Sequence, residues 1–367
     1  MRVSDFDFEL LPELIAQHPA EPRDSARLLH VPVNAAFSDL SVRDLPSLLQ
    51  PDDLIVTNDT RVIPARLTGK KESATPTGPN QGGAKIEVTL HKSEGPDIWR
   101  TFTRPAKKLK PNDTIQFAPY FSAVVEKKGD AGEVTLRFNL SGIALLDALR
   151  AHGVMPLPPY IKRPREGNQA DQTSYQTLFA EKDGAVAAPT ASLHYTPELI
   201  QAIKERGVQI VPLTLHVGAG TFLPIKVDDT QDHVMHSEWG EISADAAQKI
   251  NQTKQNGGRV IASGTTSLRL LESATSEDGI VSAFQGETDI FITPGYKFRV
   301  ADLILTNFHL PKSTLFMLVA AFAGLDKIKH AYQHAMDKNY RFYSYGDASL
   351  LELAEISPKR AHERFKI

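Results

Sequence analysis

Five polar clusters have the residue types needed to move protons or hold an oxygen-rich ligand. Asn58-Asp59-Thr60-Arg61 sets an arginine beside a carboxylate, a pair that can orient a ligand carboxylate or phosphate. The same residues also suit a plain strand-end turn, where Asn and Asp bond their own backbone. Residues 187–195 (Ala-Ala-Pro-Thr-Ala-Ser-Leu-His-Tyr) are mostly small, so backbone can approach a ligand closely; His194 can serve as a base or sit at the start of a helix. Leu215-His216-Val217-Gly218-Ala219-Gly220-Thr221-Phe222 follows an apolar stretch, and its Gly-x-Gly turn can aim backbone N–H groups at oxygens. It lacks the third glycine of a dinucleotide fingerprint. His233-Val-Met-His236-Ser-Glu238 offers metal-ligand types at spacings unlike His-Glu-x-x-His, so it reads as a metal site or as a polar cleft wall. The fifth cluster is spread over Gly264-Thr265-Thr266-Ser-Leu-Arg269, Thr306-Asn307-Phe-His309-Leu-Pro311 and Tyr340-Arg-Phe-Tyr-Ser-Tyr345-Gly-Asp347. Its threonines suit a helix N-terminus, which favours carboxylate or phosphate. Asn307 and His309 leave a strand end together. Asp347 follows an aromatic stretch that reads as a strand, and a buried acid there needs a partner.

The hydrophobic pattern supplies elements to carry these clusters. Residues 44–49 read as a short helix and 53–57 as a strand ending at the Asn58 tip. Residues 85–91, 98–103, 114–117, 121–126 and 133–138 alternate as short strands, which implies a small closed β unit. A Gly- and Pro-rich loop, 73–83, lies inside it. Beyond about residue 149 the texture is α/β. Helices are expected over 199–206, 243–255, 267–273 and from Leu315, with strands over 208–217, 259–262, 289–292 and 303–305. The expected architecture is an α/β domain with a mostly parallel sheet or barrel (1–66 and 151–367), interrupted by a β module (67–150).

Composition narrows the chemistry. The 367 residues are 41% hydrophobic and 23% charged, as in a folded soluble protein, and there is no cysteine. Disulfides, thiolate nucleophiles and cysteine-held zinc or iron–sulfur sites are therefore excluded. The net charge of −3 gives no global attraction to polyanions. Local cationic runs at Arg104, Lys107, Lys108 and Lys110, at Lys162, Arg163 and Arg165, and at Lys359, Arg360, Arg364 and Lys366 are either solvated surface or phosphate contacts. The N-terminus carries acids where a signal peptide needs a basic start, and the longest apolar run, 315–325, is too short to span a bilayer. A cytoplasmic location is expected.

Nine segments in order carry a family resemblance over nearly the whole chain. They are Asp5-Phe-Asp-Phe-Glu-Leu, Asn58-Asp-Thr-Arg-Val-Ile-Pro-Ala-Arg66-Leu, His152-Gly-Val-Met-Pro-Leu-Pro-Pro-Tyr160-Ile, Asp171 with Tyr175-Gln176, and Gly184-Ala-Val-Ala-Ala-Pro-Thr190. The remainder are the segment 215–222, Gly264 to Arg269, Thr306 to Thr314, and Tyr340 to Asp347. The chain closely resembles the S-adenosylmethionine:tRNA ribosyltransferase-isomerases of queuosine biosynthesis. The resemblance implies transfer of the ribosyl part of S-adenosylmethionine to 7-aminomethyl-7-deazaguanine in a tRNA anticodon loop. The ribose is isomerised to an epoxycyclopentane, giving epoxyqueuosine, and adenine and methionine leave. It also implies a barrel-like α/β domain with an inserted small antiparallel β-barrel, a monomer, and no cofactor, since S-adenosylmethionine is consumed.

Under that resemblance a base must remove the C5′ proton that the sulfonium acidifies. Candidates are His194, His216, His236, His309, Asp59 and Asp347, with His194 and His309 ranked first. Asn58, Arg61, Arg66, His216, Gly218, Gly220, Thr221, Phe222, His236, Glu238, Arg269, Asn307 and Tyr345 are expected around the substrates. The methionine carboxylate is expected on Thr265 and Thr266, with adenine or ribose near 218–222. The modified base must leave the loop stack, and Arg104, Lys107, Lys108, Lys162 and Arg163 are the expected tRNA contacts. Asn58, His216, Thr266 and His309 are expected to share one cavity. Two departures are Ser192, where the family usually has glycine and a positive φ would strain serine, and Tyr195 in place of phenylalanine. The 73–83 loop is longer than the family's. The competing readings are a metal-dependent hydrolase on His233, His236 and Glu238, a non-catalytic RNA-binding module, and a methyltransferase.

Overall fold

The computed structural model describes residues 1–72, 83–130, 132–164, 167–222 and 225–354, without the side chains of Thr221 and Phe222. Most of the 73–83 loop, Arg165, and the cations at 359, 360, 364 and 366 lie outside the described residues. The strands are β1 Arg27–Val31, β2 Ser38–Ser41, β3 Leu54–Asn58, β4 Thr60–Val62, β5 Arg66–Lys71, β6 Lys85–Ser93, β7 Ile98–Arg104, β8 Thr114–Ala118 and β9 Phe121–Lys128. They continue with β10 Glu133–Phe138, β11 Lys182–Ala185, β12 Gln209–Leu215, β13 Glu238–Ile242, β14 Val260–Ser263, β15 Phe284–Thr288, β16 Leu303–Asn307 and β17 Ala348–Glu352. The helices are α1 Leu45–Leu48, α2 Gly142–His152, α3 Asp171–Ser174, α4 Pro197–Glu205, α5 Ala244–Gln255, α6 Thr265–Ser273, α7 Thr314–Ala323 and α8 Leu325–Asp337.

A nine-stranded sheet runs β15-β13-β12-β3-β14-β16-β17-β1-β2. Its central strands are apolar on both faces and fully buried, as strands covered by helices on two sides must be. Leu54, Val56, Ala262 and Ile304 point into one core with α5 to α8, whereas Ile55, Ile261, Leu303 and Leu305 point into the other with α1 and α4. The sheet is mixed, which corrects the mostly parallel expectation. The β1·β17, β12·β3, β14·β3 and β14·β16 pairs are parallel, and β1·β2, β12·β13, β13·β15 and β16·β17 are antiparallel.

Strands β5 to β10 close into an antiparallel barrel in the order β10-β7-β6-β5-β8-β9. Alternate residues such as Ile86, Val88 and Leu90 fill its interior. The expected β insertion and α/β frame are therefore present.

Helix starts follow local chemistry. Thr196, Ser243 and Ser313 cap α4, α5 and α7 by accepting from Leu199, Ala246 and Phe316 N–H. Gly324, at φ 92°, divides the apolar 315–325 run between α7 and α8. No helix among the described residues is long and apolar enough to cross a membrane.

Two expected strands are displaced. Residues 289–292 leave the sheet, and the more polar β15 just before them forms the edge; Arg269 instead lies near the Ile290 carbonyl. The aromatic stretch before Asp347 turns at Tyr343, whose φ is +72°, so β17 begins only at Ala348. Ser192 lies in a short 3-10 helical turn without a positive φ and bonds Ser263, so the anticipated strain is absent.

Candidate functional site

The ends of β14 and β16 open into a cavity of about 100 Å³. Gly264, at φ 93°, turns the chain directly from β14 into α6, and this conformation suits glycine. Thr265, Thr266 and Arg269 from α6 line the cavity. Thr306, Asn307, Phe308 and His309 enter from the β16 end, and residues 187–191 form another wall. Thr266 Oγ1 and Arg269 Nη2 are buried there without a hydrogen-bond partner in the protein. Two unspent donors on the first turns of one helix make a site for a carboxylate. Arg269 is held by Glu238, whose Oε2 accepts from Nη1 at 2.5 Å while Oε1 accepts from Gly218 N–H at 3.0 Å.

Tyr160, Tyr175 and Tyr343 complete the wall. Tyr160 and Tyr343 stand 4.7 Å apart, tilted by 54°. Tyr160 and Ser344 hydroxyls bond at 2.7 Å. Burial raises the Tyr160 phenol to about 12 and the Tyr175 phenol well above its ordinary value, so both stay neutral. Neutral aromatic faces around a small cavity suit a compact organic cation. Tyr343 keeps its left-handed backbone in this wall, with its N–H donating to Phe308 carbonyl at 3.1 Å. These three tyrosines were not singled out as site residues by the sequence. They converge from three separate segments; Tyr160 and Tyr175 are signalled only by their place in resembling motifs, and Tyr343 also by the fifth polar cluster.

His309 is the only one of the six candidate bases (His194, His216, His236, His309, Asp59, Asp347) that lines this cavity. Its Nε2 meets Thr306 Oγ1 at 3.0 Å, and its backbone N–H donates to Tyr332 hydroxyl at 2.9 Å. Burial pushes the imidazole down to about 3, so it is unprotonated at neutral pH. His194 is buried behind the wall. It bonds Asn307 Nδ2 at 3.2 Å, and Asn307 Oδ1 accepts from Thr190 hydroxyl at 3.0 Å. Burial lowers His194 to about 4.

Segment 216–218 separates this cavity from a second one of about 440 Å³ at the seam of barrel and sheet. Val217 faces the first; His216 and Gly218 face the second. The expectation of one cavity shared by Asn58, His216, Thr266 and His309 is thus corrected. Thr266 and His309 share the first, His216 lines the second, and Asn58 lines neither. Asn58 is fully buried as a brace, donating to Leu215 carbonyl at 2.9 Å and accepting from Leu215 N–H at 3.0 Å. Thr60 holds His216 Nδ1 at 2.7 Å. Asn58 and Thr60 of the 58–61 motif therefore fix the 215–216 segment, and Arg61 lines a separate surface depression with Arg150 and Asp183.

A family profile described as a queuosine biosynthesis protein matches residues 3–351. A Parvibaculum lavamentivorans protein described as S-adenosylmethionine:tRNA ribosyltransferase-isomerase is 58% identical over 352 residues, covering 96% of this chain and 99% of its own. The chain belongs to this family. A Rhodospirillum rubrum protein of the same description is 56% identical over 355 residues, with 97% and 99% covered. The crystal structure of a Thermotoga maritima S-adenosylmethionine tRNA ribosyltransferase matches with a TM-score of 0.54 at 34% identity, over 95% of this chain and 99% of that one.

In this ribosyltransferase-isomerase family member several expected site residues serve the frame. Asp59 accepts from Thr214 hydroxyl at 2.7 Å, and burial raises its carboxyl. Asp347 is buried and accepts from Arg27 and Arg341 N–H and from the Arg341 guanidinium. Tyr345 is buried against Ser174. Arg61 is exposed and donates to Ala180 carbonyl, and Arg66 lines a separate depression with Lys162. Gly220 packs against the exposed His236.

Arg163 is corrected as a tRNA contact. Its guanidinium is buried against Asp171 at 3.0 Å and also donates to Gln17 carbonyl. Arg104, Lys107, Lys108 and Lys162 are exposed. The residues of the metal reading do not converge. His233 packs on Phe291, His236 on His91, and Glu238 is spent on Arg269. Among the described residues no group of three metal-ligand types is placed to hold an ion.

The buried Arg269–Glu238 pair gives a stability prediction. Arg269→Ala leaves a buried carboxylate uncompensated and is expected to cost about 3–5 kcal/mol. A urea-denaturation cycle with Glu238→Gln should show the double variant losing less than the two single losses combined. Strict additivity would contradict a direct coupling.

Proposed function

We infer that this chain transfers the ribosyl moiety of S-adenosylmethionine to 7-aminomethyl-7-deazaguanine in a tRNA anticodon loop and isomerises it to epoxyqueuosine, releasing adenine and methionine. Family membership supports the reaction. The observation that carries the site is the pairing of unspent donors, Thr266 Oγ1 and Arg269 Nη2, with an aromatic wall and a neutral histidine in one cavity. The donors take the methionine carboxylate, and the tyrosines face the sulfonium. His309 removes the C5′ proton that the sulfonium acidifies. Its low proton affinity keeps it available, so the acidity comes mainly from the sulfur.

At about 100 Å³ the cavity is smaller than the roughly 300–1,000 Å³ of a whole-ligand site, so it takes one end of the cosubstrate. The ribose and the extruded base meet at its mouth. Asn307 and His194 act behind the wall as positioning residues. Arg104, Lys107, Lys108 and Lys162 remain available to tRNA phosphates. The insertion 67–150 is read as a module within the α/β frame 1–66 and 151–367, in a cytoplasmic monomer.

Product analysis on tRNA carrying the deazaguanine tests the reaction. Stoichiometric adenine and methionine are expected, whereas S-adenosylhomocysteine would indicate methyl transfer. Thr266→Ala should weaken S-adenosylmethionine binding about tenfold, the value of one hydrogen bond to a charged group. An unchanged Kd by calorimetry would remove Thr266 from the carboxylate site.

A further inference from the structure

A neutral imidazole has one nitrogen that donates and one that accepts, so it can take a proton only through the nitrogen whose lone pair is unspent. Two buried histidines meet the end of β16, and their hydrogen bonds differ. Asn307 Oδ1 accepts from the Thr190 hydroxyl at 3.0 Å, which turns Asn307 Nδ2 toward His194 Nε2 at 3.2 Å. An amide nitrogen only donates, so His194 Nε2 accepts and its ring proton sits on Nδ1. The lone pair of His194 is therefore spent.

His309 is placed otherwise. Its Nε2 meets Thr306 Oγ1 at 3.0 Å, and a hydroxyl can play either part in that bond. Its Nδ1 has no hydrogen-bond partner among the described residues, and it is not one of the buried polar atoms closed to solvent. The opening available to it is the reaction cavity, which the ring lines. The frame around the pair is fixed. His309 N–H donates to the Tyr332 hydroxyl at 2.9 Å, and the Ser349 hydroxyl donates to the Thr306 carbonyl at 3.3 Å. Which way the Thr306 hydroxyl points thus decides whether the cavity meets an N–H or a lone pair.

The charge of the cosubstrate favours one answer. A sulfonium beside the ring attracts a lone pair and repels an N–H. A hydroxyl oxygen that accepts from Nε2–H also gains strength as the ring becomes cationic, so it helps most in the transition state.

We propose that Thr306 is a positioning residue that holds His309 in the Nε2–H tautomer and so presents the Nδ1 lone pair to the C5′ proton. The C5′–H bond breaks, its electron pair stays on the carbon beside the sulfur, and the proton bonds to Nδ1. The imidazolium that forms keeps its Nε2–H on Thr306. This rests on His309 being the base, and adds which nitrogen accepts and which residue selects it.

The tautomer is read from two-bond ¹H–¹⁵N correlation spectra of the intact protein labelled at histidine, with S-adenosylmethionine bound and no RNA present. The His309 signals are those missing from His309→Asn. His309 Nδ1 should be unprotonated and Nε2 protonated, with His194 the reverse. Thr306→Val, which keeps the shape and removes the oxygen, should lower kcat about tenfold and leave the Kd for S-adenosylmethionine nearly unchanged. Thr306→Ser, which restores the hydroxyl, should recover most of the loss. A proton on His309 Nδ1 overturns the proposal. So does an unchanged kcat in Thr306→Val, or a loss that Thr306→Ser does not relieve. Full turnover in His309→Ala would instead remove the base and leave the wild-type spectrum as it is. A proton on Nδ1 together with an inactive His309→Ala would overturn only the choice of nitrogen, so the two failures are distinguishable.

Discussion

Replacing His309 with alanine is expected to lower turnover about 10²- to 10⁴-fold, the usual contribution of a positioned base. Affinity for S-adenosylmethionine should change little, because the carboxylate donors and the tyrosine wall remain. The geometry makes this specific. Thr306 occupies one ring nitrogen, Tyr332 pins the backbone, and the ring lines the cavity. His194→Ala should have a different signature. It touches only Asn307 in this group, so its loss should be partly rescued by His194→Gln, which can still bond that amide. The pH profile separates base from bystander. A base with a pKa near 3 is unprotonated throughout the neutral range, so this ring adds no inflection to kcat/KM between pH 8 and about 5.5 while the chain is folded, and the slope there comes from deprotonation of the attacking aminomethyl group. A loss with an apparent pKa near 6.5 would contradict the assignment. Full turnover in His309→Ala would remove the residue from the reaction.

The second large effect is on acid stability. His91, His194 and His216 are lowered to about 4 and His309 to about 3, each chiefly by burial. In the unfolded chain each titrates near 6.5. Between those values the unfolded state binds protons that the folded state does not. Stability is therefore fully present above about pH 6.5 and is lost as pH falls toward 4. The loss is about 1.4 kcal/mol per pH unit for each histidine well inside this window. Asp59 and Glu272, whose carboxyls burial raises, act with the opposite sign and subtract from the slope. Urea midpoints measured from pH 7.5 to 5 should fall steeply below 6.5, and His194→Asn should flatten the curve by up to one proton. A midpoint independent of pH over this range would contradict neutral burial of these rings.

Much of the frame is legible in the sequence because it rests on local rules. Alternation over 85–91 and 133–138 announces barrel strands, and Ser243 and Ser313 announce helix starts. Gly264-Thr265-Thr266 and Asn307-x-His309 read as strand ends with chemistry, and the structure brings them together. Other features depend on contacts no local pattern carries. Arg163 looks like a phosphate contact until Asp171 is seen beside it. The 58–61 motif looks like a ligand site but braces β12. The separation into two cavities arises just past the end of β12, where Val217 faces one side and His216 and Gly218 the other. His91 was hidden by a bulge, which moves one residue off the expected face.

The first cavity is expected to take the amino-acid end of the sulfonium cosubstrate. The most direct measurement is a crystal structure with S-adenosylhomocysteine, the neutral thioether counterpart. Its carboxylate should lie within hydrogen-bond distance of Thr266 Oγ1 and Arg269 Nη2, with the sulfur against Tyr160 and Tyr343. A carboxylate bound elsewhere, with both donors still unpaired, would contradict it.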